Sequence, residues 1–91
     1  MIQTTISICQ FRSQLTRYCR AVKLGKKKLV ITYNKKPLCN VNKIGILDVH
    51  LPEVSLTFTR DKMSEFIDLL EQNGAVLLTA HGKKLVKCEL I

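Results

Sequence analysis

The sequence predicts a single α+β domain in which helices pack on antiparallel strands. Two observations lead to this fold class. Stretches of alternating β-branched residues are followed by stretches with apolar residues at helical spacing, and this order of strand, helix and hairpin occurs twice. A chain of 91 residues suffices for one domain with a modest core or for half of an obligate dimer. We therefore expect one domain over residues 1–91, with repeats at 4–41 and 54–90 joined by a linker at 42–53.

The two repeats match at a nearly constant offset. Arg12 and Arg60 are 48 residues apart, and Thr32 and Thr79 are 47 apart. A unit of this size cannot bury its apolar face alone, so two of them would pack against each other as a pseudo-dimer within one chain. The alternative is an ordinary α+β domain whose elements resemble one another by chance.

In the first repeat, residues 3–8 alternate and are rich in β-branched side chains, which predicts a strand. Apolar residues recur at helical spacing from Phe11 to Val22, and Gly25 is typical of the position just beyond a helix end. Residues 29–33 and 38–41 are predicted as two strands of a hairpin, joined by a turn rich in lysine.

The second repeat follows the same order. Residues 54–58 are predicted as a strand, and Thr59 as the N-cap of a helix that begins at Asp61 and ends before Gly74. Residues 76–80 and 85–90 are predicted as a second hairpin.

The helix of the second repeat carries the candidate contacts for a protein partner. Its apolar stripe includes Phe66, Ile67 and Leu70, and the rest of its surface is acidic. Part of this stripe must belong to the core. The acidic surface makes this helix a better site for a protein than for a polyanion.

Positive charge is concentrated in the first half of the chain. The net charge is +8, but residues 1–50 hold ten Lys and Arg against one Asp, whereas acidic side chains slightly outnumber basic ones in the remainder. This asymmetry is typical of a protein whose basic half contacts a polyanion. The alternative is a charged face that only keeps a small protein in solution.

No pattern in the sequence indicates an enzyme, a cofactor or a metal site. His50 and His81 are far apart in predicted loops, and the Gly-Lys-Lys-Lys segment at 25–28 lacks the spacing of a phosphate-binding loop. The four cysteines have no C-x-x-C spacing, which favours reduced thiols in a cytoplasmic protein. No apolar run approaches the roughly 20 residues that cross a bilayer, and no secretory signal is predicted.

Basic residues of the first helix and of the following turn are the candidate nucleic-acid site. Arg12 is expected in the first helical turn, where backbone amides and a guanidinium together suit a phosphate, and arginine also binds guanine with two hydrogen bonds. Arg17, Lys35 and Lys36 complete the basic set. The lysines at 26–28 lie at the other end of the helix, where they form either a second phosphate contact or a solvated turn, and we favour the solvated turn.

Residues 4–41 resemble the N-terminal half of the Phd/YefM-type antitoxins (the prevent-host-death family). The resemblance is carried by Ile6-Ser7-Ile8, Phe11-Arg12, Gly25, Leu29-Val30-Ile31-Thr32 and Lys36-Pro37-Leu38, in that order. It implies a Phd/YefM-like α+β homodimer that binds operator DNA as a transcriptional repressor. It also implies neutralisation of the partner toxin of a toxin–antitoxin system. Arg12 falls on the DNA-contacting arginine of that family.

The chain departs from this family at several positions. Tyr33 replaces a second DNA-contacting arginine and completes the candidate DNA-binding set, Lys35 replaces the turn glycine, and Cys9 stands where a Ser or Thr usually caps the first helix. The family's acidic, toxin-wrapping tail is replaced by the second repeat. This replacement bears on toxin neutralisation more than on the fold.

Three functions are compatible with these patterns. The first is an antitoxin-like repressor that binds duplex DNA. The second is an inhibitor or assembly module of the same fold that binds only a protein, through Phe66, Ile67 and Leu70 or an exposed strand edge. The third is a small structural or phage-encoded accessory protein. Affinity for phosphates falls steeply with salt whereas apolar protein contacts do not, so salt dependence separates the first function from the second.

Overall fold

The computed structural model describes residues 2–91, which form an α+β fold with six strands, four α-helices and one 3-10 helix. In chain order these are β1 (Ile2–Ser7), α1 (Ile8–Ser13), α2 (Leu15–Lys23), β2 (Lys27–Tyr33), β3 (Lys36–Asn42), the 3-10 helix (Ile46–His50), β4 (Glu53–Ser55), α3 (Leu56–Asp61), α4 (Met63–Asn73), β5 (Ala75–Ala80) and β6 (Lys83–Leu90). Among residues 2–91, no helix is both long and apolar enough to span a membrane.

The strands form one sheet with the order β1-β2-β3-β6-β5-β4. At one edge, β1 pairs in parallel with β2, and β2 forms an antiparallel hairpin with β3. At the other edge, β4 pairs in parallel with β5, and β5 forms an antiparallel hairpin with β6. The two halves meet where β3 pairs with β6, with Val41 opposite Cys88.

The α+β class is confirmed, but the expectation of a purely antiparallel sheet is wrong. Helices connect each edge strand to its neighbour, and such crossovers produce parallel pairs.

The first predicted helix is divided in the structure, and the second, which matches α4, is preceded by a separate short helix, α3, the first half of which was predicted as strand. Gln14, with φ −138° and ψ 43°, separates α1 from α2, and Lys62, with φ −129° and ψ 57°, separates α3 from α4. The apolar periodicity continues through the break at Gln14, which is why the sequence indicated a single first helix.

Serine residues cap the first helix of each half. The Ser7 hydroxyl accepts a hydrogen bond from the Gln10 amide at 3.2 Å, and the Gln10 side chain accepts one from the Ser7 amide at 3.1 Å. Ser55 caps α3 by accepting a hydrogen bond from the amide three residues later, at 3.0 Å. The cap of α1 is therefore Ser7 and not position 9, and Cys9 lies exposed within the helix.

The predicted strand at 54–58 is shorter than expected, because the chain enters α3 at Leu56. Thr59, predicted as an N-cap, is instead buried inside α3, and its hydroxyl donates to the Ser55 carbonyl at 2.9 Å. Asp61 is consequently the last residue of α3 and not part of a first turn.

The core lies between the helices and one face of the sheet. Its helical side chains are Ile8, Phe11, Leu15, Cys19, Val22, Phe66, Ile67 and Leu70. The sheet contributes Ile6, Leu29, Ile31, Cys39, Val41, Val54, Val76, Leu78, Val86 and Cys88. The candidate contacts for a protein partner were Phe66, Ile67 and Leu70. All three side chains are buried, because the apolar side of α4 faces the sheet. That surface is therefore not available to a protein partner.

The linker between the halves is anchored to the sheet by an ion pair. Asp48, in the 3-10 helix, lies 3.1 Å from the Lys87 ammonium on β6, and its carboxylate also accepts a hydrogen bond from the Gly45 amide at 2.7 Å. Val86 and Cys88 face the core, so the alternation of the strand directs Lys87 to the opposite face. The linker thus crosses the sheet on the side away from the helices.

Candidate functional site

Arg12 lies at the junction of the two halves. It belongs to the last turn of α1, and its Nε donates a hydrogen bond of 2.7 Å to the backbone carbonyl of Arg60, in the last turn of α3. The expected position in a first helical turn is wrong, since α1 begins at Ile8. Arg12 forms no ion pair with Asp48, the one carboxylate in residues 2–50, because Asp48 pairs with Lys87.

A cavity of about 530 Å³ opens beside this junction. Arg12 and Arg17 line it from the first half, and Arg60 and His81 from the second. Hydroxyl-bearing residues complete much of the wall: Ser13, Thr16, Ser55, Thr57 and Thr79. Ser55 ends β4, and Thr79 is close to the end of the parallel strand β5, so the cavity lies at that end of the sheet. Sequence reasoning identified the two arginines of the first half but missed Arg60 and His81, although Arg60 matches Arg12 in the repeat.

Tyr33, Lys35 and Lys36 lie elsewhere, at the exposed turn between β2 and β3. Because β3 and β6 are antiparallel neighbours, the turns that precede them are at opposite ends of the sheet. His81 belongs to the β5–β6 turn, so the cavity that holds Arg12 and Arg17 is at the far end from the lysines. The candidate DNA-binding residues therefore form two groups and not one.

The two hairpin turns have the same backbone conformation. Asn34 and Lys35 have φ of 52° and 65°, and His81 and Gly82 have φ of 52° and 77°. Two successive residues with positive φ are typical of a type I′ turn, in which Asn-Gly is preferred. Lys35 therefore occupies a glycine position at a cost in stability, and it holds a positive charge at the tip of the turn.

The positive charge of the first half is not neutralised locally. Within residues 2–91, ion pairs with carboxylates involve only Arg60 with Asp61, and Lys87 with Asp48 and Glu89. None of the ten Lys and Arg between positions 12 and 43 takes part. These side chains are free to meet an anion from outside the chain.

Three of the four cysteines are shielded from solvent, and the four do not combine into a metal-binding site. Cys19, Cys39 and Cys88 are buried, and Cys9 is exposed. Burial raises the pKa of Cys19 to about 12, and a hydrogen bond with Cys39, together with burial, raises the pKa of Cys88. A raised pKa keeps a thiol protonated and unreactive. Among the residues that the structure describes, no group of three or more His, Cys, Asp or Glu could hold a metal ion.

The linker exposes three large apolar side chains. Ile46, Leu47 and Val49 of the 3-10 helix are 93%, 84% and 63% exposed. A contiguous apolar patch in contact with solvent is typical of a contact surface for another protein, and these three side chains lie within four residues of one another.

Comparison with protein-family models, with curated proteins and with solved structures found no match for this chain. The candidate functions are therefore distinguished by the topology of this chain, its charge and the placement of its side chains.

Proposed function

We propose that the protein is an antitoxin-like DNA-binding transcriptional repressor, in which one chain takes the place of a Phd/YefM-type dimer. The observation that carries this proposal is the set of ten Lys and Arg in residues 12–43 without a carboxylate partner. Duplex DNA is a dense polyanion, and lysine and arginine that neutralise its phosphates release bound counterions, which drives binding. Such a repressor acts in the cytoplasm, and four free cysteines agree with a reducing compartment.

The pseudo-dimer is supported by irregular features that recur at the same places in both halves. They are the caps Ser7 and Ser55, the helix breaks Gln14 and Lys62, the left-handed glycines Gly25 and Gly74, and the register shifts after Ile31 and Leu78. Irregular features recur by chance less readily than regular strands and helices do. Val41 and Cys88, which pair at the centre of the sheet, are themselves 47 residues apart. An approximate two-fold axis through that pair would relate the halves.

The dimensions of the molecule suit a duplex. The two hairpin turns lie at opposite ends of the sheet, and the longest extent of the backbone is 31 Å. One turn of B-DNA is about 34 Å, the usual separation of the half-sites that a two-fold protein contacts. Lys35 is at one turn tip and Lys36 follows it, and Lys83 and Lys84 follow the other tip. The two tips could therefore contact phosphates about one helical turn apart.

Electrophoretic mobility shift with random and with cognate upstream duplexes, at about 50 and 200 mM salt, tests this proposal. We expect retardation at low salt and a loss of affinity of at least about tenfold at the higher concentration, because several phosphate contacts contribute to the salt slope. An unretarded duplex at low salt would exclude DNA binding. A salt-independent shift would exclude the phosphate contacts.

Contact with a protein partner is a second candidate function, as in toxin neutralisation or assembly without DNA. The exposed Ile46, Leu47 and Val49 favour it, and an apolar groove on another protein would be the matching surface. The double variant Ile46→Asp, Leu47→Asp tests this function in a co-purification assay against the product of the neighbouring gene. Capture that is unchanged in the variant would exclude the linker. Ile67→Asp is unsuitable for this purpose, because it would place a charge in the core.

A further inference from the structure

We infer that the cavity between the halves is a binding site for a phosphate group, and that its two-fold equivalent is not. Arg12, Arg17, Arg60 and His81 line the cavity, and no Asp or Glu is among its lining residues in the described chain. Planar guanidinium groups bind phosphate oxygens in pairs, and serine and threonine hydroxyls donate further hydrogen bonds. The chemistry of this wall therefore selects a phosphate monoester or diester.

The free hydrogen-bonding capacity of the arginines agrees with an anion from outside. The Nε of Arg12 donates a hydrogen bond to the Arg60 carbonyl, which orients the guanidinium. Its two terminal nitrogens pair with no carboxylate in residues 2–91. Within residues 2–91, the guanidinium of Arg17 donates one hydrogen bond, of 3.3 Å, to the neutral side chain of Gln14. Arg60 contacts Asp61 at 3.1 Å, so its charge is partly offset. Arg12 and Arg17 are consequently the principal ligands.

The equivalent position at the other end of the sheet has a different composition. Arg17 lies three residues after the helix break at Gln14, and Glu65 lies three residues after the break at Lys62. In the hairpin turns, His81 corresponds to Asn34, and both have a φ of 52°. A carboxylate thus replaces a guanidinium, and an amide replaces an imidazole. The two ends of the molecule would bind phosphate unequally.

The size of the cavity allows two sources of phosphate. A volume of about 530 Å³ falls within the range of small-molecule sites, so a free nucleotide would fit. A backbone phosphate of DNA is the second source, and that version of the inference rests on the proposed repressor function. It then predicts that the protein holds one half of its operator more tightly than the other.

Titration of the full-length protein with inorganic phosphate, adenosine monophosphate and a duplex, followed by amide and His81 ring NMR shifts and by calorimetry, tests this inference. We expect one phosphate per chain, with shifts at the cavity residues. Arg17→Glu should weaken phosphate binding at least about tenfold, since it replaces a charge-assisted contact with repulsion. Arg20→Glu makes the same charge change on the same helix outside the cavity, and Glu65→Gln alters the equivalent position. Both controls should stay within about twofold of the wild type.

Three results would overturn the inference: no phosphate binding, equal weakening by Arg17→Glu and Arg20→Glu, or shifts at Glu65 equal to those at Arg17. Duplex binding in the absence of phosphate binding would leave the repressor function standing without this site. Phosphate or nucleotide binding without duplex binding would support the site, identify a free phosphorylated molecule as its ligand and remove the repressor function. Competition between nucleotide and duplex would support the site with the DNA backbone as its occupant.

Discussion

Arg12 combines a structural contact with a charge that remains available for binding. Its Nε is bound to the Arg60 carbonyl, so the guanidinium is oriented before any ligand arrives. We expect Arg12→Ala to weaken duplex binding by about 1–3 kcal/mol if the arginine contacts a base edge, whereas Lys36→Ala should mainly reduce the salt slope by about one unit. Mobility shifts at several salt concentrations distinguish the two effects. Arg20→Ala, on the exposed surface of α2, is the matched control, and an equal effect there would contradict a special role for Arg12.

Lys35 illustrates a conflict between stability and charge at a single residue. Its φ of 65° lies in the left-handed region, where glycine has no steric penalty. We expect Lys35→Gly to raise the free energy of unfolding by about 0.5–1 kcal/mol and to weaken DNA binding, because the turn loses strain and a cation together. Urea denaturation and mobility shifts measure the two effects. Lys36→Gly, at the next residue and within the strand, should be destabilising. If Lys36→Gly were instead the more stable of the two variants, the turn would not be strained.

The cysteines differ in reactivity because only one meets solvent. Cys9 is exposed, while burial raises the pKa of Cys19 to about 12, and a hydrogen bond with Cys39, together with burial, raises the pKa of Cys88. Since the thiolate is the reactive form, we expect one thiol per chain to react rapidly with a disulfide reagent at pH 8, and four after denaturation. Cys9→Ser should abolish the rapid phase. Rapid reaction of two or more thiols in the native protein would mean that the core opens readily.

At the scale of an element, the linker depends on Asp48. A hydrogen bond from the Gly45 amide and the contact with Lys87 lower the pKa of Asp48, and the hydrogen bond to Asp48 raises the pKa of Lys87. A lowered carboxyl pKa stabilises the fold fully above the unfolded value of about 3.9, and this stabilisation is lost as the pH falls through the folded pKa. The contribution of the lysine is complete below its unfolded pKa of about 10.4 and is lost as the pH rises through its raised folded pKa.

We therefore expect Asp48→Asn to lower the urea midpoint at pH 7, and the difference from wild type to shrink as the pH is lowered below about 4. Asp68→Asn is the control, because Asp68 is exposed and makes no ion pair within residues 2–91. A difference that persists unchanged at pH 2 would show that the carboxylate charge is not what anchors the linker.

At the scale of the whole molecule, the two halves of the chain are joined in one sheet through the β3–β6 pair. β3 and β6 already pair with each other within one chain. If the pseudo-dimer is complete, no second chain is needed to pair with either strand. We expect light scattering to give the mass of one chain, 10.4 kDa, for the free protein and one chain per duplex in the complex. A stable homodimer, the state implied by the family resemblance, would give twice that mass. It would show that the internal pairing does not replace the subunit interface.

The sequence by itself determined the features that depend on local interactions. Alternation and helical spacing identified most strands, the α1–α2 region and α4, and Gly25 and Gly74 marked the ends of these helical regions, since these signals involve residues close together in the chain. The charge asymmetry and the order of elements in each half were also evident. The sequence did not reveal the helix breaks at Gln14 and Lys62, because the apolar stripe reports which face is buried but not the backbone torsions that packing imposes.

Only the tertiary structure decided which distant residues come together. The parallel edge pairs, the β3–β6 junction and the burial of Ile67 follow from contacts between remote segments. Arg12 was singled out in the sequence, but its hydrogen bond to Arg60 and the cavity it shares with His81 involve residues 48 and 69 positions away. Local propensity cannot specify such a meeting, because it depends on the order of strands in the sheet and on how the two halves pack.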